Sequence, residues 1–148
     1  MTLFFPDLNV WLALSDIGHE HSGEAWNWMS SLPGDARLLF SRYTQIGLLR
    51  LLVTPAVMGN ATLSLGKAWS VYDRWLEDPR VEFYPDPREA DLTFRRFTAP
   101  FKTQKASKAV GDCWLLACAS EIDARLVTFD RALYELARKQ NQPAVLPS

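Results

Sequence analysis

KAVGDCWLLACASEIDARLVTFD, residues 108–130, reads as an apolar helix followed almost at once by a strand. Leu115, Leu116 and Ala119 recur at helical spacing behind Asp112, and the pattern predicts a helix over Lys108–Ile122. Arg125–Phe129 is short and β-rich, the composition of a strand buried on both faces. A helix that runs back over a sheet and feeds a strand is half of a βαβ crossover, so the sheet is expected to be parallel.

The rest of the chain repeats that alternation. Thr2–Phe5 is a strand stopped by Pro6, and Asp7 is a good N-cap for a helix over Leu8–Ser15. A helix is expected from about His21 to Ser31, a turn at Pro33–Asp35, and a strand over Arg37–Ser41. A helix over Tyr43–Val53 comes next, then a loop from Val53 to Thr62 broken by Pro55 and Gly59. Ser64–Glu77 reads as a helix with Trp69, Tyr72 and Leu76 on one stripe, and Val81–Tyr84 as a strand. Another helix begins near Arg88, and Lys102–Ser107 is a polar loop. Arg131–Lys139 is the last helix and Ala144–Leu146 an edge strand. The class is α/β: a mostly parallel sheet of four to five short strands, with helices on both faces.

At 148 residues the chain has the length of one domain, expected to span 1–148, and it buries roughly 70% of its unfolded surface without staples. A 48% hydrophobic composition and a net charge of -1 exclude a disordered chain. The longest uncharged run, Leu51–Gly66, is too short and too broken by Pro55 and Gly59 to cross a bilayer. No basic leader precedes the first apolar run, so no signal peptide is expected. Cys113 and Cys118 fall on different faces of one predicted helix and are expected to be reduced, as in a cytoplasmic protein. Charge is uneven along the chain. Arg95, Arg96, Lys102, Lys105 and Lys108 occupy a stretch without acids, which suits either a polyanion or plain solvent.

In a parallel sheet, chemistry collects beyond the carboxyl ends of the strands. Asp7 follows the first strand, Asp130 follows Arg125–Phe129, and Asp112 opens the helix that leads into that strand, so all three are expected on one rim. Asp7 and Asp130 also read as helix caps. Asp112 has an apolar face behind it and needs a partner, either Lys108 at i−4 or a cation. Clustered carboxylates favour a hard cation such as Mg²⁺, with Mn²⁺ able to substitute, and metal-assisted phosphodiester hydrolysis is the chemistry that follows. His19 and His21 point apart on a helix and are read as solvated or packing side chains. Trp11 is read as core, and Trp26, Trp69, Trp75 and Trp114 as core or dimer interface.

The blocks Phe5–Leu14, Thr44–Leu52, Gly111–Ala119 and Leu126–Arg131, taken in order, resemble PIN-domain ribonucleases, and within them the VapC toxins of bacterial toxin–antitoxin pairs. The resemblance implies a Mg²⁺-dependent endoribonuclease, an RNA substrate, a VapB-type antitoxin as partner and a homodimer. It makes Asp7 and Asp112 the principal metal ligands and Asp130 a third acid, with Asn9 and Thr128 orienting them. Arg50 is given a structural or phosphate-binding role. The family's glutamate on the helix after the second strand is missing. Gln45 is the nearest candidate, through an amide oxygen that orients a metal-bound water. The alternative is a PIN domain that binds RNA or an antitoxin without cutting. Phosphotransferases with an aspartate nucleophile place a second aspartate two residues on, where this chain has Asn9.

Overall fold

Phe4 and Phe5 are both buried, and they point to opposite sides of the sheet because side chains alternate along a strand. That pair lies in β1 (Leu3–Pro6), the central strand of a computed structural model that describes all of residues 1–148. α1 (Leu8–Ser15) and α2 (Ser22–Ser30) lead to β2 (Arg37–Phe40). α3 (Arg42–Leu52), α4 (Pro55–Met58) and α5 (Leu65–Glu77) lead to β3 (Val81–Phe83). The chain then crosses through α6 (Ala90–Thr98) and α7 (Ser107–Glu121) to β4 (Arg125–Val127), and ends with α8 (Arg131–Lys139) and β5 (Ala144–Val145).

The five strands are all parallel, in the order β3-β2-β1-β4-β5. Phe4, Leu38, Phe40 and Val127 pack one face against α1, α2, α3 and α5. Phe5, Leu39 and Leu126 pack the other against α6, α7 and α8. β1 is the point from which the chain winds outward in both directions, so a crevice opens between the carboxyl ends of β1 and β4. Phe5 pairs with Leu126 and Pro6 with Val127, which brings the residues after both strands side by side.

The helix starts follow local capping chemistry. The Ser41 hydroxyl accepts from the Thr44 amide while the Thr44 hydroxyl accepts from the Ser41 amide, closing a capping box on α3. Ser64 caps α5 in the same sense through Lys67. The expected loop over Val53–Thr62 is instead the short helix α4 and a 3₁₀ turn at Gly59–Ala61. Pro55 starts that helix because its fixed φ suits the first helical position, so what reads as a breaker acts as an initiator. On α5 the buried residues are Ala68 and Tyr72, while Trp69 and Leu76 of the expected stripe stay 43% and 39% exposed.

Trp11 is fully buried and stacks on Phe40, with ring centroids 3.8 Å apart and planes at 13°. Its indole Nε1 has no hydrogen-bond partner. The ring therefore contributes through packing while its N–H opposes burial. Trp11→Ala is expected to lose about 3–5 kcal/mol of stability, the range for deleting a large buried aromatic. Trp11→Phe is expected to lose less than half as much, because it also removes the unsatisfied donor. Urea unfolding of the two variants measures the difference.

Candidate active site

The Asp7 amide bonds the Val127 carbonyl at 2.8 Å, which carries the β1–β4 pairing one residue past the strand. As the N-cap of α1, Asp7 accepts from the Leu8 amide through Oδ1 at 2.6 Å. Its Oδ2 accepts from the Thr128 hydroxyl at 2.9 Å. Thr128 is fully buried, and the same oxygen accepts from the Asp130 amide at 3.0 Å. Asn9 reaches across the crevice as well: its Nδ2 meets Thr128 Oγ1 at 3.5 Å and its Oδ1 accepts from the Phe129 amide at 3.4 Å. Asn9 and Thr128 thus stitch the two strand ends together and aim Asp7.

The three acids are not equivalent. Asp130 caps α8, with Oδ1 accepting from the Ala132 and Leu133 amides at 2.9 and 3.3 Å. Its Oδ2 is taken by the Lys108 ammonium. Burial would raise the Asp130 pKa, but Lys108 and the two amides outweigh it and hold the carboxyl below the usual range. Asp7 is pushed upward by burial, and the Thr128 and Leu8 bonds offset only part of that. Asp112, on the first turns of α7, accepts no hydrogen bond. Burial first, and then the charge of Asp7, push its pKa up to about 6. Lys108, expected to partner Asp112 one turn away, pairs with Asp130 instead, across the crevice.

Two neighbouring carboxylates whose pKa values are both raised by burial, one of them with both oxygens free, are a donor set short of one cation. Asp7 and Asp112 therefore fit a hard divalent ion, which is often held by one or two carboxylates and completed by water and phosphate. The three acids do not close into a three-ligand cage, because Asp130 already has both oxygens engaged.

Gln45 is a correction to the sequence reading. It is only 6% exposed, and its Oε1 accepts from the Arg42 guanidinium, with the Tyr72 hydroxyl alongside. That oxygen is committed to the α3–α5 side and is not free to orient water at the rim. The face of α3 toward the acids carries Tyr43 and Gly47, one turn apart. A Cβ at Gly47 would collide with the Leu8 side chain, so α1 and α3 meet closely beside Asp7. A Cβ at Gly111 would collide with the Tyr43 hydroxyl. Tyr43, with a pKa raised by burial and by the charges of Asp7 and Asp112, covers the start of the site. Sequence reading missed this contact. The signal was Gly111 inside a helix, a costly residue there unless another group approaches closely.

Other candidates fall as follows. Arg95, Lys102 and Lys105 line a cleft of about 680 Å³ where α6 and the start of α7 meet, although Arg95 also pairs with Asp91 at 3.0 Å. Arg96 stands over the Phe97 ring, 5.3 Å from its centroid, and is outside the cleft lining. His21 stacks on Phe129 with centroids 4.4 Å apart, and its Nδ1 meets Glu24 at 3.0 Å, a packing role at the edge of the rim. Trp26 is 43% exposed beside a hollow of about 340 Å³ that it lines with Leu14, Val71 and Trp75. No helix is long and apolar enough to cross a membrane.

The PIN domain family model matches residues 4–139. The chain belongs to the PIN domain family. It is 34% identical over 130 residues to Ribonuclease VapC41 of Mycobacterium tuberculosis, an alignment covering 85% of this chain and 88% of that protein, and so falls among the VapC members of the family. Its fold is shared with solved structures at lower identity. VapBC2 from Rickettsia felis, bound to a promoter DNA fragment, superposes with a TM-score of 0.75 at 12% identity, covering 99% of this chain and all of that one. VapC20 of Mycobacterium tuberculosis, a sarcin-ricin loop cleaving toxin, gives a TM-score of 0.66 at 16% identity over 90% of this chain and 94% of that one. The expected fold and the expected PIN resemblance both hold.

Two outcomes follow from the geometry of this PIN domain. Asp112 holds its proton more tightly when folded than when unfolded, so its ionisation opposes folding above pH 6, and the effect fades as pH falls toward 4. With metal removed, Asp112→Asn is expected to be more stable than wild type at pH 7.5, with the difference shrinking to nothing near pH 4 in urea melts. Gly111→Ala is expected to push the part-exposed Tyr43 side chain aside, a loss offset in part by the better helix propensity of alanine. In Gly111→Ala combined with Tyr43→Phe the loss is expected to be smaller than the sum by about 1 kcal/mol, a coupling typical of side chains in direct contact.

Proposed function

We propose that this chain is a Mg²⁺-dependent endoribonuclease, the toxin of a VapBC-type pair, that hydrolyses RNA phosphodiester bonds at the Asp7–Asp112 rim. One observation carries the reading: Asp112 projects two unpartnered carboxylate oxygens beside Asp7, at the crevice of a PIN fold related to a VapC ribonuclease. Asp7 and Asp112 would hold a divalent cation there, which would supply Lewis-acid stabilisation of phosphodiester charge and a water of lowered pKa. The chain's own residues supply the rest. Asp7 and Asp112 hold the cation, with Asp7 locked by Leu8 and Thr128 so that it needs no reorganisation. Asp130 serves as helix cap and lysine anchor. Lys102, Lys105 and Arg95 offer charge along the cleft between α6 and the start of α7, where a flexible RNA strand can lay its phosphates.

The same proposal gives the chain a VapB-type antitoxin and a second copy of itself as partners, in the cytoplasm. The apolar hollow of Leu14, Trp26, Val71 and Trp75 is the surface best suited to a protein partner, since exposed aromatics rimmed by polar groups anchor interfaces.

A second reading, RNA binding without cleavage, is favoured by one observation: α3 reaches the rim through Tyr43 and carries no carboxylate anywhere along its length. Purified protein incubated with total RNA separates the two. Discrete fragments are expected with Mg²⁺ or Mn²⁺ and none with EDTA. Asp112→Asn is expected to lower cleavage by about a hundredfold or more, and Thr128→Val by about 10–100-fold, the usual cost of losing a group that orients a metal ligand. RNA that is retained by wild type but never cut, with either metal, would leave the binding reading in its place.

A further inference from the structure

Lys108 is the only cation that touches the acidic rim. Its ammonium sits on Asp130 Oδ2, from a side chain that is itself 70% exposed and free to move. One helical turn along α7 lies Asp112, on the same face of the helix. Asp130, Asp112 and Asp7 all act on Lys108 and raise its pKa, led by the bond to Asp130, so the ammonium stays within electrostatic reach of the whole cluster. In turn it pulls down the pKa of each of the three acids. No other basic side chain does so. Arg50 acts only on Tyr43, and Lys102 and Lys105 line the neighbouring cleft.

We propose that Lys108 is a resident counter-ion of the rim, which partly neutralises the carboxylates in the metal-free protein and thereby competes with a divalent cation for them. Three acids gathered at one sheet edge repel one another, and the lysine offsets part of that repulsion before any ion arrives. The cost is affinity. An incoming divalent cation meets a site carrying one positive charge too many, and Asp130 is engaged until the lysine swings away. Because its ammonium is tethered by a single ion pair, little opposes that movement. The rim is thus set to bind metal loosely when empty. Lys108 is a positioning residue for the metal, not a ligand.

This inference rests on the divalent-metal reading of Asp7 and Asp112, and calorimetric titration with MnCl₂ alone, without RNA, keeps the two separable. Wild type is expected to bind Mn²⁺, and Lys108→Met to bind it about tenfold more tightly, the order expected for removing a unit charge several ångströms from a divalent ion near the surface. Lys108→Arg retains the charge and is expected to restore wild-type affinity, which a merely structural role for the lysine would not require. Lys108→Gln serves in place of the methionine variant if that protein does not fold. Equal or weaker Mn²⁺ binding by the neutral variants overturns the role of Lys108 while leaving the metal reading intact. Absence of Mn²⁺ binding from wild type and neutral variants alike overturns both.

Discussion

The parallel pairing of β1 with β4 is the constraint on which the rim depends. Pro6 lies against Val127, and the Asp7 amide bonds the Val127 carbonyl, so the chain leaves both strands at the same height. Thr128 then takes a position from which one hydroxyl serves both sides, donating to Asp7 and accepting from the Asp130 amide. A one-residue slip of register would move Thr128 to the other face of the sheet, because side chains alternate along a strand. Burial of Phe5 and Leu126 on one face, and of Phe4 and Val127 on the other, makes such a slip costly. Core packing therefore holds the acids in place, even though none of them belongs to the core.

Charge at the rim is distributed by what each carboxylate can reach locally. Asp7 and Asp130 sit where strands become helices, and the free amides of α1 and α8 satisfy part of each. Asp112 sits inside a helix, where the backbone amides are already used, and so has nothing to accept. That difference is why capping and metal binding are not rival readings of the same residues. Asp7 caps α1 through one oxygen and is bonded by Thr128 through the other, Asp130 is occupied by its cap and by Lys108, and Asp112 is left with no donor at all. Tyr43 reaches from α3 to the Gly111 backbone of α7, where its hydroxyl occupies the place of a Cβ.

Much of the architecture was legible from short-range patterns. Helix starts at Asp7, Ser64 and Asp130, the apolar strands, and the order of strand and helix follow from periodicity and capping, which act over a few residues. The main misreading, Val53–Thr62, arose because Pro55 carries two opposite meanings that depend on the neighbouring backbone. The positions of Asp7, Asp112, Asp130, Asn9 and Thr128 on one rim were legible because sheet topology places residues after parallel strands on one edge. Gln45 was misplaced because sequence spacing does not reveal which side of α3 faces the crevice.

By itself, then, the sequence determined a parallel α/β fold with three acids on one rim, since hydrogen bonding and hydrophobic alternation are local and periodic. Only the tertiary structure decided which oxygens are free. Lys108 pairs with Asp130 and not with Asp112, Gln45 turns to Arg42 and Tyr72, and Tyr43 covers Gly111. Each of those outcomes depends on distances between side chains on different elements. Such distances are set by how closely the helices pack on the sheet, and no local pattern encodes them.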